Sequence, residues 1–185
     1  MKKALIPLFV FSLFPATLLS QQKLTPTNLP DFLGRYDTNF GPLESVFKDL
    51  ENEKLPLRDE NGQPLARRRL ENRLLIATNL RQTARQLAAS PEDLVLTATV
   101  VIKTEALADD LFDLAQIAYD NDREELGNQL NTLELTMGEN EDLLSDYFLR
   151  LSSEKQERLR QLEKEVDELR QKAKGGAKPP GGAKP

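Results

Sequence analysis

Six arginines, Arg67, Arg68, Arg69, Arg73, Arg81 and Arg85, fall within residues 64–89 against a single acid, Glu71. A cluster of that sign is the pattern that binds phosphate or nucleic acid, because it neutralises phosphate charge and releases counterions. The stretch that follows has the opposite sign. Over residues 91–120, Glu92, Asp93, Glu105, Asp109, Asp110, Asp113 and Asp120 stand against Lys103 alone. If the chain folds back at Ala89-Ser90, Arg67, Arg68 and Arg69 come level with Asp113, Asp110 and Asp109. Each cluster also sits at the dipole-unfavourable end of its own helix, which antiparallel pairing offsets. The expectation is therefore internal neutralisation, with no nucleic-acid partner.

The other candidates for chemistry are fewer. Histidine, cysteine and tryptophan are all absent from the 185 residues, which removes Ser-His and Cys-His nucleophiles, zinc or copper sites with soft ligands, and any group titrating near neutrality unaided. Asp120, Asp122 and Glu124 alternate as in a calcium loop, but Glu125 stands where such a loop needs glycine and Asn131 where it needs glutamate. Helix capping accounts for the same residues. Ser152 and Lys155 have the Ser-x-x-Lys spacing on an exposed, charged stretch, where three-residue spacings arise by chance. No catalytic, metal-binding or cofactor-binding residue is assigned, and no cofactor is expected.

What remains is binding, and three apolar sets could do it. The first is aromatic: Phe32, Tyr36 and Phe40 recur every four residues and Phe47 follows within a helical pattern of Leu43, Val46 and Leu50. Pro26, Pro30, Gly34, Gly41, Pro42, Pro56 and Gly62 punctuate residues 21–62 and limit this segment to short amphipathic helices ending in an exposed turn, RDENGQP, at 58–64. The aromatics either strap the bundle or form a patch for a partner.

The second set lies in LVLTATVVI, residues 94–102, nine residues without a charge. Val, Ile and Thr favour strands, but "SPED" ahead of them, with Ser90 as N-cap and Pro91 at the first helical position, commits them to a helix running to about residue 120. On that helix Val95, Leu96 and Ile102 point away from the inner stripe and need a cover: Phe40 or Phe47, or a partner.

The third set closes the helical region. A first long helix is expected from about Pro64 to Ala89. A third, capped by Asn121 or Asp122, should end at Gly138, and a fourth should run from about residue 141 to 174. Past Ser153 that last helix keeps only Leu159, Leu162, Val166 and Leu169, spaced 3, 4 and 3. This is a coiled-coil-like seam too short to be stable alone. Residues 175–185 repeat GGAKP and are expected to form a disordered Gly/Lys/Pro tail.

Together these elements predict an all-α fold: an up-down helical bundle over residues 63–153, short N-terminal helices, a charged coiled-coil-like extension over 154–174, and the tail. At the other end, MKK precedes an uncharged run to Gln22 with a compact apolar block, the pattern of a bacterial signal peptide over residues 1–20. Cleavage after Ser20 is preferred, with Ala16 second; if the segment is retained it contacts the membrane as an anchor. Its removal takes Lys2 and Lys3 and leaves 23 basic and 30 acidic residues, a net charge of −7.

The expected function is an exported, periplasmic or secreted non-enzymatic binding or scaffold protein of the bacterial cell envelope. It would act by protein contact or by self-association through the C-terminal helix. The alternatives are an envelope or wall-attachment spacer and a carboxylate-based hydrolase.

Overall fold

A computed structural model describes residues 23–52 and 57–176. Five helices follow one another: α1 (Leu29–Thr38), α2 (Phe40–Asn52), α3 (Arg67–Ala89), α4 (Leu94–Asp120) and α5 (Glu124–Gly176). Among the described residues there is no strand beyond an isolated bridge between Arg58 and Pro64. The chain is all-α, as its periodicity predicts.

α1 and α2 share one leg of the bundle. Pro42 has no N–H to donate to the carbonyl of Thr38, so one helix cannot run straight through, and the chain turns at Asn39. The leg begins beside the far part of α5, where Arg150 donates to the carbonyl of Leu24. It ends near the α4–α5 turn, where Asp49 shares a cleft with Tyr119 and Asp122. α3, α4 and α5 then run up, down and up, which gives an antiparallel four-legged bundle.

Phe32, Tyr36, Phe40 and Phe47 are all buried, together with Leu43, Val46 and Leu50. The Tyr36 and Phe40 rings meet edge to face with centroids 5.2 Å apart, a favoured aromatic geometry. From the other legs come Ala77, Leu80 and Leu87 of α3, Val100, Leu107, Leu111 and Leu114 of α4, and Leu130, Met137, Leu144 and Tyr147 of α5.

Several boundaries differ from expectation. α3 begins at Arg67 rather than Pro64. Pro64 belongs instead to a tight turn in which Asp59 Oδ1 accepts from the N–H groups of Asn61 and Gln63, and Gly62 adopts a left-handed φ of 72°. α4 is capped by Asp93, not Ser90: Asp93 Oδ1 accepts from the N–H groups of Val95 (2.8 Å) and Leu96 (3.0 Å), while Ser90 closes α3. Both Ser90 and Asp93 are good caps, and the carboxylate adds charge at the positive end of the helix dipole.

The α4–α5 turn also reassigns its residues. Asn121 caps α4 from its C-terminal end, its Nδ2 donating to the carbonyl of Ile117. Asp122 takes a left-handed φ of 55°, and the N–H groups of Asp122 and Arg123 close on the carbonyls of Tyr119 and Ala118. That is the Schellman pattern, with aspartate where glycine usually stands.

The largest difference is that the expected third and fourth helices are one. α5 passes through Gly138 and Asn140 without a break. A helical glycine costs only ~1 kcal/mol, and the stripe of Leu126, Leu130, Leu133, Met137, Leu144, Tyr147 and Leu151 stays in phase across it. A break would throw that stripe off α4. Gly175 and Gly176, expected in the tail, end α5. The expectations for residues 1–20 and for the tail from residue 177 lie outside the described residues.

Candidate functional site

Four of the six arginines of α3, Arg67, Arg73, Arg81 and Arg85, pair with acids of the chain, though with other partners than expected. Arg81 donates Nε and Nη2 to the two carboxylate oxygens of Asp37 at 2.9 and 3.0 Å. Arg85 does the same at 3.0 Å for both bonds. Arg81 Nη1 also reaches Glu44 at 3.1 Å. Asp37 thus accepts four charge-assisted bonds from two guanidinium forks, which hold its carboxyl down at about 2, with the Arg81 hydrogen bonds contributing most. Arg67 pairs with Glu51 of α2 and Glu71 of its own helix.

Only Arg73 bridges α3 to α4, through Asp110 Oδ1 at 3.0 and 3.1 Å. Its guanidinium is nearly fully buried and its Nη1 has no partner among the described residues. The expected pairing of Arg67, Arg68 and Arg69 with Asp113, Asp110 and Asp109 is corrected for a simple reason. The four residues Ser90–Asp93 lie between the helices, so the fold-back is centred near residue 91.5 and the levels shift by about four residues. Arg69 still lines one cleft with Asp113.

The three apolar sets separate clearly. Phe32, Tyr36, Phe40 and Phe47 are spent inside the bundle, so they are corrected from candidate contacts to core. Tyr36 is held there by a 2.8 Å hydrogen bond to Thr104 of α4, and burial pushes its hydroxyl well above the ordinary tyrosine range. Leu96 is half-buried and packs on the core. Val95 and Ile102, seven residues apart, stay on the outward face of α4, exposed by 75% and 63%. Neither Phe40 nor Phe47 covers them.

The seam on α5 is more extensive. Tyr147 donates to the carbonyl of Pro91 at 2.7 Å and Lys155 pairs with Glu92 at 3.6 Å, which puts the α3–α4 turn beside this part of α5. From residue 156 to 173 every side chain is exposed. At about 100° per residue, Leu159, Leu162, Val166 and Leu169 fall on the same side of α5 as Leu130, Leu133, Met137, Leu144 and Leu151. The face that α5 buries in the bundle therefore continues past the bundle's end with nothing described on it. Leu159 and Leu169 are exposed by 62% and 65%.

Two features were not singled out from the sequence. One is a groove of ≈370 Å³ between Asn39 and Pro42 on one side and Gln129, Leu133 and Met137 of α5 on the other. It forms because the α1–α2 corner pulls away from α5, and a corner at Asn39-Pro42 was its only signal. The other is a reciprocal clasp: Asn121 Oδ1 accepts from the N–H of Arg58 and Asn121 Nδ2 donates to the Arg58 carbonyl, each at 2.9 Å. It fastens the turn before α3 to the end of α4.

Among the described residues no group of three or more acids is arranged to hold a metal ion, and no helix is long and apolar enough to cross a membrane. No family model, no curated protein and no solved structure matches the chain.

Proposed function

We propose that this chain is an exported, non-enzymatic helical scaffold that works by binding protein through the projecting end of α5. One observation carries the reading: the buried face of α5 continues beyond the bundle as Leu159, Leu162, Val166 and Leu169, exposed on a helix that is otherwise charged. A solvated helix has no use for a continuous apolar stripe, whereas a helix that pairs with another requires one. Further support comes from the absence of histidine and cysteine and from the pairing of Arg67, Arg73, Arg81 and Arg85 with acids of the chain itself. Export is supported by Lys2 and Lys3 followed by the uncharged run to Gln22.

The test compares the full chain with a variant carrying Leu159→Gln, Leu162→Gln, Val166→Gln and Leu169→Gln. Glutamine keeps helix propensity and removes the apolar stripe. At concentrations that keep the chain monomeric both proteins should melt alike, because these residues lie outside the core. The native chain should retain a set of proteins from a cell-envelope extract that the variant does not. Identical sets would overturn the reading of the seam, and recovery of the chain from the cytoplasmic fraction would overturn export.

A further inference from the structure

We infer that the occupant of the α5 seam is the same seam of a second copy, running antiparallel and displaced so that Val166 of each chain packs on Leu169 of the other. This rests on the reading of the seam as a contact and adds its partner and register.

The composition of the extension favours self-pairing. Arg158 and Arg160 are followed by Glu163, Glu165, Asp167 and Glu168, with Lys164 among them on the side away from the seam, and then by Arg170, Lys172 and Lys174. An acidic block between two basic ones is close to neutral as a whole and complementary to itself when displaced.

The bundle selects the direction. A parallel pair would also match signs, setting Arg158 beside Glu163 and Glu165 beside Arg170. However, each partner helix must then continue alongside α5 toward its own bundle. Lys155 lies one turn before Leu159 on the same face, and it already meets Glu92 at 3.6 Å. The α3–α4 turn and α4 behind it occupy the path that a parallel helix would take. An antiparallel helix enters from the free end and its bundle lies at the far end of the pair.

The flanking charges select the register. If Leu159 is placed against Leu169 and Leu162 against Val166 of the second copy, the residues bordering the seam meet as Glu163 with Glu163, Glu165 with Glu165, and Arg158 with Lys172. All of these repel. A shift of one heptad places Val166 against Leu169 and Leu162 against Ala173. The borders then become Glu163 with Arg170 and Glu165 with Lys172, each occurring twice by symmetry. Interhelical pairs of this kind set partner choice and orientation in coiled coils, and closed two-fold contacts are the commonest form of self-association.

The chain has no cysteine, so introduced thiols report the geometry directly. Two full-length variants, Leu162→Cys and Ala173→Cys, are mixed, oxidised and separated by mass, with sedimentation equilibrium run on the unmodified chain. The expected result is a concentration-dependent dimer, lost in the four-glutamine seam variant, and a disulfide between the two different variants, lost when Val166→Gln and Leu169→Gln are added to both. Disulfides within each variant population, 162 to 162 and 173 to 173, would show a parallel pair and overturn the proposal. A chain that stays monomeric and uncrosslinked at every concentration would also overturn it. In that last case the envelope-extract comparison separates the two readings: if the seam variant still loses retained proteins, the seam contacts a different partner, and if it does not, the contact reading fails as well.

Discussion

Tyr36 of α1 and Thr104 of α4, 68 positions apart, share a buried hydrogen bond of 2.8 Å. The Thr104 hydroxyl donates its proton to the carbonyl of Val100 at 2.8 Å, so the Tyr36 O–H is the donor between them. The arrangement is asymmetric, and the two single substitutions should differ. Tyr36→Phe removes a donor and leaves Thr104 bonded to Val100, a loss of ~1 kcal/mol; Thr104→Val strands a buried phenol and should cost ~1–3 kcal/mol. In the double variant neither position leaves a buried polar side-chain atom without a partner, and it should melt above Thr104→Val alone. Urea unfolding of the three variants checks this, and equal costs for the two single changes would contradict the assigned donor.

Asp37 makes the stability of the α1–α3 contact depend on pH. Its carboxyl is held at about 2 against an ordinary value of 3.8, first by the Arg81 hydrogen bonds and then by those of Arg85. A depressed folded-state value means that the unfolded chain binds the proton first, so the stabilisation is full above about pH 4. It is then lost as pH falls toward 2. At 1.36 kcal/mol per unit the shift corresponds to ~2 kcal/mol, reduced by salt to ~1–2 kcal/mol because the cluster is partly solvated. The expected outcome is that Asp37→Asn lowers stability by that amount at neutral pH. The gap between native and variant should close between about pH 4 and pH 2 and narrow in high salt. A gap constant from pH 7 to pH 2 would show that the carboxylate charge contributes nothing.

The helical class of the chain, its short aromatic helices and the hairpin of α3 with α4 were all legible because they depend on periodicity and on local breakers such as Pro42. Pairing between legs was not. Arg81 and Arg85 find Asp37, which lies 44 and 48 positions earlier, and nothing local to either segment encodes that meeting. The difference between Val95 and Leu96, one outward and one against the core, likewise depends on where neighbouring helices pass. Gly138 misleads for the opposite reason. A glycine followed by Asn140 is a local stop signal, but the stripe of Leu126, Leu130, Leu133, Met137 and Leu144 keeps its phase across it, and that phase argues for one continuous helix.

Gly127 and Gly138, the glycines in the body of α5, should therefore respond differently to alanine. Nothing lies within 4 Å of a Cβ built on Gly138, so Gly138→Ala gains helix propensity without a clash. Stability should rise by ~1 kcal/mol, or roughly 2–4 °C in melting temperature for a chain of this size. At Gly127 the same methyl would lie 2.5 to 2.7 Å from three ring carbons of Tyr119. That ring is fixed from its other end by the hydroxyl, which donates to Asn128 Oδ1 at 2.9 Å. The ring must leave its place, lose that bond and reopen the α4–α5 corner, and overpacking of this kind costs ~1–3 kcal/mol, at least as much as the gain in propensity. Gly127→Ala should thus melt at or below the native chain and Gly138→Ala above it. If both variants melted higher, Tyr119 would not be clamped against the helix.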